Sequence, residues 1–198
     1  APTLVNEKLD RSWIMQTCKT IAEGKALRIV VLSPSEKKAR DWEPFGAKVV
    51  LGDDVPVSIK ELRNPASELR FVAFIQRYDG LDLPDKSCRI LVIDGLPYGE
   101  GIIDRYDSSL TDVAGGTRNR LIYRIEQGMG RAVRSYADYA VIILAGAELA
   151  HFIARHDVLS AMNPDTAAQL RLAIDLAEIA MEEGGTDPGK AVIKMISQ

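Results

Sequence analysis

Four apolar runs rich in β-branched residues stand out along the chain, at 26–34, 71–75, 89–97 and 139–146. Runs of this length without polar alternation are typical of strands that are buried on both faces of a sheet. A shorter run at 47–50 predicts a further strand. The segments between the strands have helical composition, beginning with a helix predicted at 7–24, so strands and helices alternate along the chain.

This alternation predicts an α/β fold in which a parallel sheet is flanked by helices. After 146 the pattern is helical throughout, which predicts a helical C-terminal extension. We therefore divide the chain into a leading helix or connector at 1–24, an α/β lobe at 25–146 and a helical extension at 147–198. In such sheets ligands gather at the loops that leave the carboxyl ends of the strands, so we look for function there.

Composition limits the classes of function. The chain has 198 residues, 46% of them hydrophobic, and a formal net charge of -3, which favours one compact domain and argues against a protein that coats nucleic acid by bulk positive charge.

Cys18 and Cys88 lack the spacing of a disulfide framework or zinc site, and His151 and His156 have no third ligand in view, so we expect no metal. We expect a cytoplasmic protein without a membrane span. The start at Ala1 and the helix-like end predict a piece of a longer protein.

The most informative segment is a helix predicted at 118–134. Spacings of four, three, four and three residues place one polar stripe on a single helix face: Arg120, Arg124, Gln127, Arg131 and Arg134. A solvated surface is one interpretation, since arginine is a good helix former. Gly128 and Gly130 weigh against it, because glycine in a helix costs about 1 kcal/mol relative to alanine and indicates a close approach to the backbone. A clustered guanidinium face meeting a close partner fits phosphate recognition.

Within this helix, Gln127, Gly130, Arg131 and Arg134 match the Q-x-x-G-R-x-x-R pattern, and the segment resembles motif VI of superfamily 2 helicases of the DEAD/DEAH type. The resemblance implies the second, C-terminal RecA-like motor lobe. It further implies that Arg131 and Arg134 are arginine fingers toward the terminal phosphate of ATP, that Gln127 places the attacking water or senses the phosphate, and that Gly130 lies at the nucleotide.

Upstream, the segment 76–99 resembles motif V of the same superfamily, with a glycine and an acid leaving one strand and a second strand ending in Leu-Pro. The resemblance implies that Gly80 and Asp82 bind the nucleotide, Asp82 through the ribose or by coupling to the fingers. It implies that Gln76, Arg77 and Tyr78 lie along the nucleic-acid path. Taken alone, this stretch would be an ordinary strand-to-loop turn; two motifs in the right order carry more weight.

The strand and loop at 29–42 resemble motif IV, in which hydroxyls and helix N-terminal amides contact nucleic-acid phosphates. Ser33 and Ser35 are the candidates here, with a helix cap as the alternative role for Ser35. Trp13, Trp42 and Tyr98 could stack on bases, although isolated aromatic residues more often pack in or beside a core.

The resemblance implies ATP and Mg²⁺ as cofactors, held mainly by an N-terminal RecA-like lobe of the same parent protein, and single-stranded nucleic acid as the partner, with DNA favoured over RNA. No G-x-x-x-x-G-K-[ST] loop and no acidic pair for Mg²⁺ occur in this sequence, so we expect the isolated chain to be inactive in ATP hydrolysis. Two alternatives remain: a degenerate helicase-like lobe that binds or scaffolds, and an unrelated α/β nucleotide-binding enzyme. The presence of both predicted arginine fingers weighs against the degenerate lobe. The unrelated enzyme would have a glycine-rich fingerprint after its first strand, and this sequence has none there.

Overall fold

The computed structural model describes residues 1–24, 27–79, 81–83, 85–98, 116–131 and 139–183. Five strands form one parallel sheet: β1 Ile29–Ser33, β2 Lys48–Val50, β3 Phe71–Ile75, β4 Ile90–Asp94 and β5 Val141–Ala145. Their order is β2-β3-β1-β4-β5, with β1 in the centre. The predicted α/β fold with a parallel sheet is confirmed, and β3 has the bounds that the apolar pattern predicted.

Helices connect and flank these strands. In chain order they are α1 Pro2–Val5, α2 Arg11–Gly24, α3 Glu36–Arg40, α4 Val55–Arg63, α5 Gly116–Met129, α6 Ala147–Ala154, α7 His156–Leu159 and α8 Pro164–Glu183. The last three form the predicted helical segment after β5. Within the described ranges no helix is long and apolar enough to cross a membrane.

Side chains alternate between the two faces of the sheet and form two cores. Val30, Leu32 and Phe74 point to the face covered by α4, α5 and α6. Val31 and Ala73 point to the other face. Full burial of a valine, leucine or phenylalanine side chain contributes about 1.5 to 3 kcal/mol of hydrophobic stabilisation, so both faces of the sheet contribute to stability.

The helix α2 packs on the second of these faces through Ile14, Met15 and Cys18. It starts at Arg11 and not at residue 7 as predicted, because the Asp10 carboxylate accepts a hydrogen bond from the Trp13 amide at 2.8 Å and so caps the helix. The segment predicted as a leading connector therefore contributes side chains to a core of the sheet.

The helix α5 differs from its predicted bounds of 118–134. It begins two residues earlier, and its regular turns end at Met129. A final turn follows, in which the backbone N–H groups of Gly130 and Arg131 donate hydrogen bonds to the carbonyls of Glu126 and Gly128. Arg134 and Gly80 lie outside the described residues.

Candidate functional site

The candidate site lies at the carboxyl edge of the sheet, where the loops after β1, β3 and β4 meet the C-terminal end of α5. Arg131 joins two of these elements. Its Nη2 donates to Gln127 Oε1 at 2.8 Å, and its Nε donates to the Tyr78 carbonyl at 3.2 Å. The two segments that resemble motifs V and VI are thus in direct contact, and the guanidinium of Arg131 is held in a defined position.

Gly128 in α5 lies close to other side chains of the protein. A Cβ at Gly128 would lie 3.3 Å from a ring carbon of Tyr78 and from Ile93, and 3.4 Å from Leu32. The close approach is therefore to the protein's own core and not to a ligand. Among the described residues, a Cβ at Gly130 would meet only the helix's own carbonyls, the nearest at 3.4 Å.

Two of the residues expected along the nucleic-acid path have buried side chains. Ser33 is fully buried and donates to Asp94 Oδ2 at 3.1 Å. Tyr78 is 5% exposed, and its hydroxyl is one of the buried polar atoms without a hydrogen-bond partner among the described residues. Burial raises the pKa of the Tyr78 hydroxyl, and the nearby Asp94 carboxylate raises it further, so the phenol is neutral. Both side chains are thus largely shielded from solvent, and their predicted contacts with nucleic acid stay predictions.

Gln76 and Arg77 are exposed, immediately after β3. Gln76 has φ of 52°, a left-handed conformation that is uncommon outside glycine. Two hydrogen bonds hold it there: its backbone N–H donates to the Ser33 carbonyl at 2.9 Å, and its side-chain Nε2 donates to the Pro34 carbonyl at 3.0 Å. These bonds tie the loop after β3 to the loop after β1, which is the edge of the sheet where ligands bind in this fold class.

Ser35 caps α3, since its side chain accepts a hydrogen bond from the Lys38 amide at 3.3 Å. This is the cap role that the sequence offered as an alternative. Asp82 forms an ion pair with Arg63 of α4, whose Nη2 lies 2.5 Å from its carboxylate and 2.8 Å from its carbonyl oxygen. Arg63 is therefore one partner of Asp82. The predicted contacts of Asp82 with the ribose or with the arginine fingers stay predictions.

Sequence reasoning missed a buried ionic cluster beside the site. Asp94, the last residue of β4, is fully buried, and its carboxylate accepts hydrogen bonds from Arg11 Nε at 2.6 Å and Nη2 at 2.8 Å. It also accepts from Trp42 Nε1 at 2.8 Å. Arg11 further pairs with Asp41 at 2.8 Å, and the pairing with both carboxylates outweighs burial and raises the Arg11 pKa. The signal available beforehand was an acid placed at the end of an apolar strand.

The chain is similar to known proteins in sequence family and in fold. The family model described as "Helicase C-terminal domain" matches residues 53–164, more than half of the chain. Among solved structures, "Structure of S. tokodaii Xpd4" matches with a TM-score of 0.51 and 19% identity, over 77% of this chain and 32% of that one. No curated protein sequence is significantly similar to the chain.

Two further structures are more distant. "XPD_APO" matches with a TM-score of 0.49 and 17% identity over 66% of this chain and 30% of that one. "Crystal structure of the C-terminal part of Fun30 ATPase domain" matches with a TM-score of 0.46 and 12% identity over 82% and 51%. The chain thus spans about a third of the first two structures and half of the last.

The likeness to Xpd4 shows a RecA-like fold, and the family match covers the segments that carry the two motifs. The chain belongs to the helicase C-terminal domain family.

Proposed function

We propose that this chain is the C-terminal motor lobe of an ATP-dependent helicase or translocase. In this proposal a first RecA-like lobe of the parent protein holds ATP and Mg²⁺, and this lobe closes on the nucleotide from the other side. ATP-driven closure and opening of the cleft would then move the protein along a nucleic-acid strand. The protein would act in the cytoplasm.

The observation that carries the proposal is the position of Arg131. Its guanidinium is fixed by Gln127 and by the Tyr78 carbonyl at the carboxyl edge of the sheet, where a second lobe would present its nucleotide. Charge develops on the phosphoryl oxygens during transfer, and a guanidinium that is already oriented stabilises it without a reorganisation cost. We assign Arg131 and Arg134 as arginine fingers and Gln127 as the residue that orients the water. Gly130 and Gly80 would allow the nucleotide to approach, and Asp82 would contact its ribose.

The single strand would run along the same edge, over Gln76 and Arg77. Both are exposed, and both line an open cavity of about 530 Å³ next to the start of α4. Ser35 and the first amides of α3 lie at the end of the neighbouring strand β1. Contacts of this kind are made with phosphates and carry little sequence information. We assign single-stranded DNA in preference to RNA, following the resemblance.

Arg131→Ala in the parent protein that joins this lobe to the first lobe provides the test. We expect strand-stimulated ATP hydrolysis to fall about 10³- to 10⁵-fold while ATP binding is retained, because the finger acts on the transition state. Arg118→Ala is the matched control: Arg118 lies on the same helix but pairs with Asp157 at 3.2 Å, away from Gln127.

An unimpaired Arg131→Ala protein would refute the finger assignment. A wild-type protein whose ATP hydrolysis no strand stimulates would instead favour the scaffold alternative. Separate measurements with single-stranded DNA and RNA of one length decide the substrate class.

A further inference from the structure

A cavity of about 270 Å³ lies at the carboxyl edge, between the loop after β3, the loop after β4 and helix α5. Its lining combines three tyrosines with two arginines: Tyr78, Tyr98, Tyr123, Arg120 and Arg124. The volume is just below the range of about 300 to 1,000 Å³ that is usual for ligand pockets. It therefore suits one small planar group and not a complete nucleoside triphosphate.

The aromatic lining has an unusual distribution of exposure. Tyr78 is buried and forms one wall, whereas Tyr98 is 51% exposed and Tyr123 is 62% exposed. Tyrosine rings left in solvent on two different elements, yet lining one cavity, are not explained by core packing. Aromatic rings at such positions offer a planar surface on which any base can stack.

A hydrogen bond joins the loop and the helix that carry the two exposed rings. Arg124 Nη1 donates at 3.0 Å to the carbonyl of Pro97, the residue before Tyr98, and so fixes the loop after β4 against α5. Tyr123 directly precedes Arg124 in the helix. The cavity is thus a preorganised feature, which lowers the ordering cost of binding.

Polar groups around the cavity match the remaining parts of a nucleotide. Arg120 and Arg124 supply positive charge that attracts a phosphate. The carboxylate of Asp79 also lines the cavity, and such a group accepts hydrogen bonds from the edges of bases. Rings for the base, an acceptor for its edge and guanidinium groups for its phosphate are therefore present within one cavity.

Building on the proposed function, we infer that this cavity binds one base of the single strand, turned away from the backbone and stacked against Tyr98 and Tyr123. As the lobe moves along the strand, one base would leave the cavity and another would enter it. The cavity would grip the strand through a base, whereas Gln76 and Arg77 hold phosphates.

The test compares two fluorescently labelled strands of about a dozen nucleotides, one of thymidines and one without bases, by anisotropy with this 198-residue chain. We expect Tyr123→Ala to weaken binding of the thymidine strand by about 5- to 150-fold, which corresponds to the loss of one stacked base. Binding of the abasic strand should be unchanged. Tyr123→Phe keeps the ring and should restore binding, and Tyr139→Ala, which removes a 65% exposed tyrosine outside this cavity, should have no effect.

The inference would be overturned by equal weakening on both strands, by no weakening in Tyr123→Ala, or by displacement of the thymidine strand by equimolar free mononucleotide. Absence of any binding by the wild-type chain would overturn it as well. Its failure is separable from that of the proposed function, because the Arg131→Ala measurement of ATP hydrolysis does not depend on this cavity. If Arg131→Ala abolishes ATP hydrolysis and Tyr123→Ala still binds the thymidine strand normally, the proposed motor function stands and only the base-binding inference fails.

Discussion

Replacing Arg11 by methionine would leave the Asp94 carboxylate buried without its cationic partner. Asp94 Oδ1 would lose the Arg11 Nε donor at 2.6 Å, and Oδ2 would lose Nη2 but keep Ser33 at 3.1 Å and Trp42 at 2.8 Å. Methionine retains the apolar stem of the side chain, so the substitution chiefly removes charge and hydrogen bonds.

The cost follows from burial. Asp94 is fully buried, and removal of one partner of a buried ion pair costs about 3 to 5 kcal/mol. We expect the lower end, because Arg11 is itself 26% exposed and water can approach the vacated side. Urea unfolding followed by tryptophan fluorescence measures this directly, and a loss of about 3 kcal/mol shifts the midpoint by roughly 1 to 1.5 M.

Arg40→Met is the matched control. Arg40 also contacts two carboxylates, Glu36 at 2.6 Å and Glu43 at 3.3 Å, but all three side chains are about half exposed. Exposed pairs of this kind contribute at most about 1 kcal/mol. In an Asp94→Asn background, Arg11→Met should cost less than in the wild type, because no buried charge remains to be left alone. Equal midpoint shifts for Arg11→Met and Arg40→Met would refute the reasoning.

Two further predictions concern the core. Gly128→Val should lower the free energy of unfolding by about 1 to 3 kcal/mol in a urea titration, since even its Cβ would lie 3.3 Å from Tyr78, whereas Gly130→Ala should change it by no more than about 0.5 kcal/mol; similar values for both would contradict the packing assignment. Burial raises the pKa of Cys18 to about 12. Above pH 9 the unfolded thiol ionises while the folded one stays protonated, so stability should fall with pH, and the thermal midpoint of Cys18→Ala should fall less between pH 8 and 10 than that of the wild type.

The strands could be predicted from sequence because parallel strands buried on both faces are continuous apolar runs, as Phe71–Ile75 shows. The hydrogen bond between Arg131 and the Tyr78 carbonyl brings together the two segments that resemble motifs V and VI. The role of Gly128 could not be predicted, because a glycine that admits core side chains and one that admits a ligand look alike in sequence.

The ionic cluster was beyond sequence reasoning for a different reason. Arg11 and Asp94 are 83 positions apart, and neither is unusual in its local segment. Only the fold brings the start of α2 to the end of β4. The same holds for Ser33 and Tyr78, since the sequence identifies residues at a strand end but not whether their side chains turn inward.

The position of β1 in the middle of the sheet bears on how the chain folds during synthesis. Its neighbours are β3 and β4, which follow roughly 40 and 60 residues later in the chain, so one edge of β1 is unpaired until β3 has been synthesised and the other until β4 has been. During that interval its apolar residues are open to association with other chains. A ribosome-bound chain that stops before β4 should therefore aggregate or recruit chaperones, whereas one extended beyond β4 can shield its first strand on both sides.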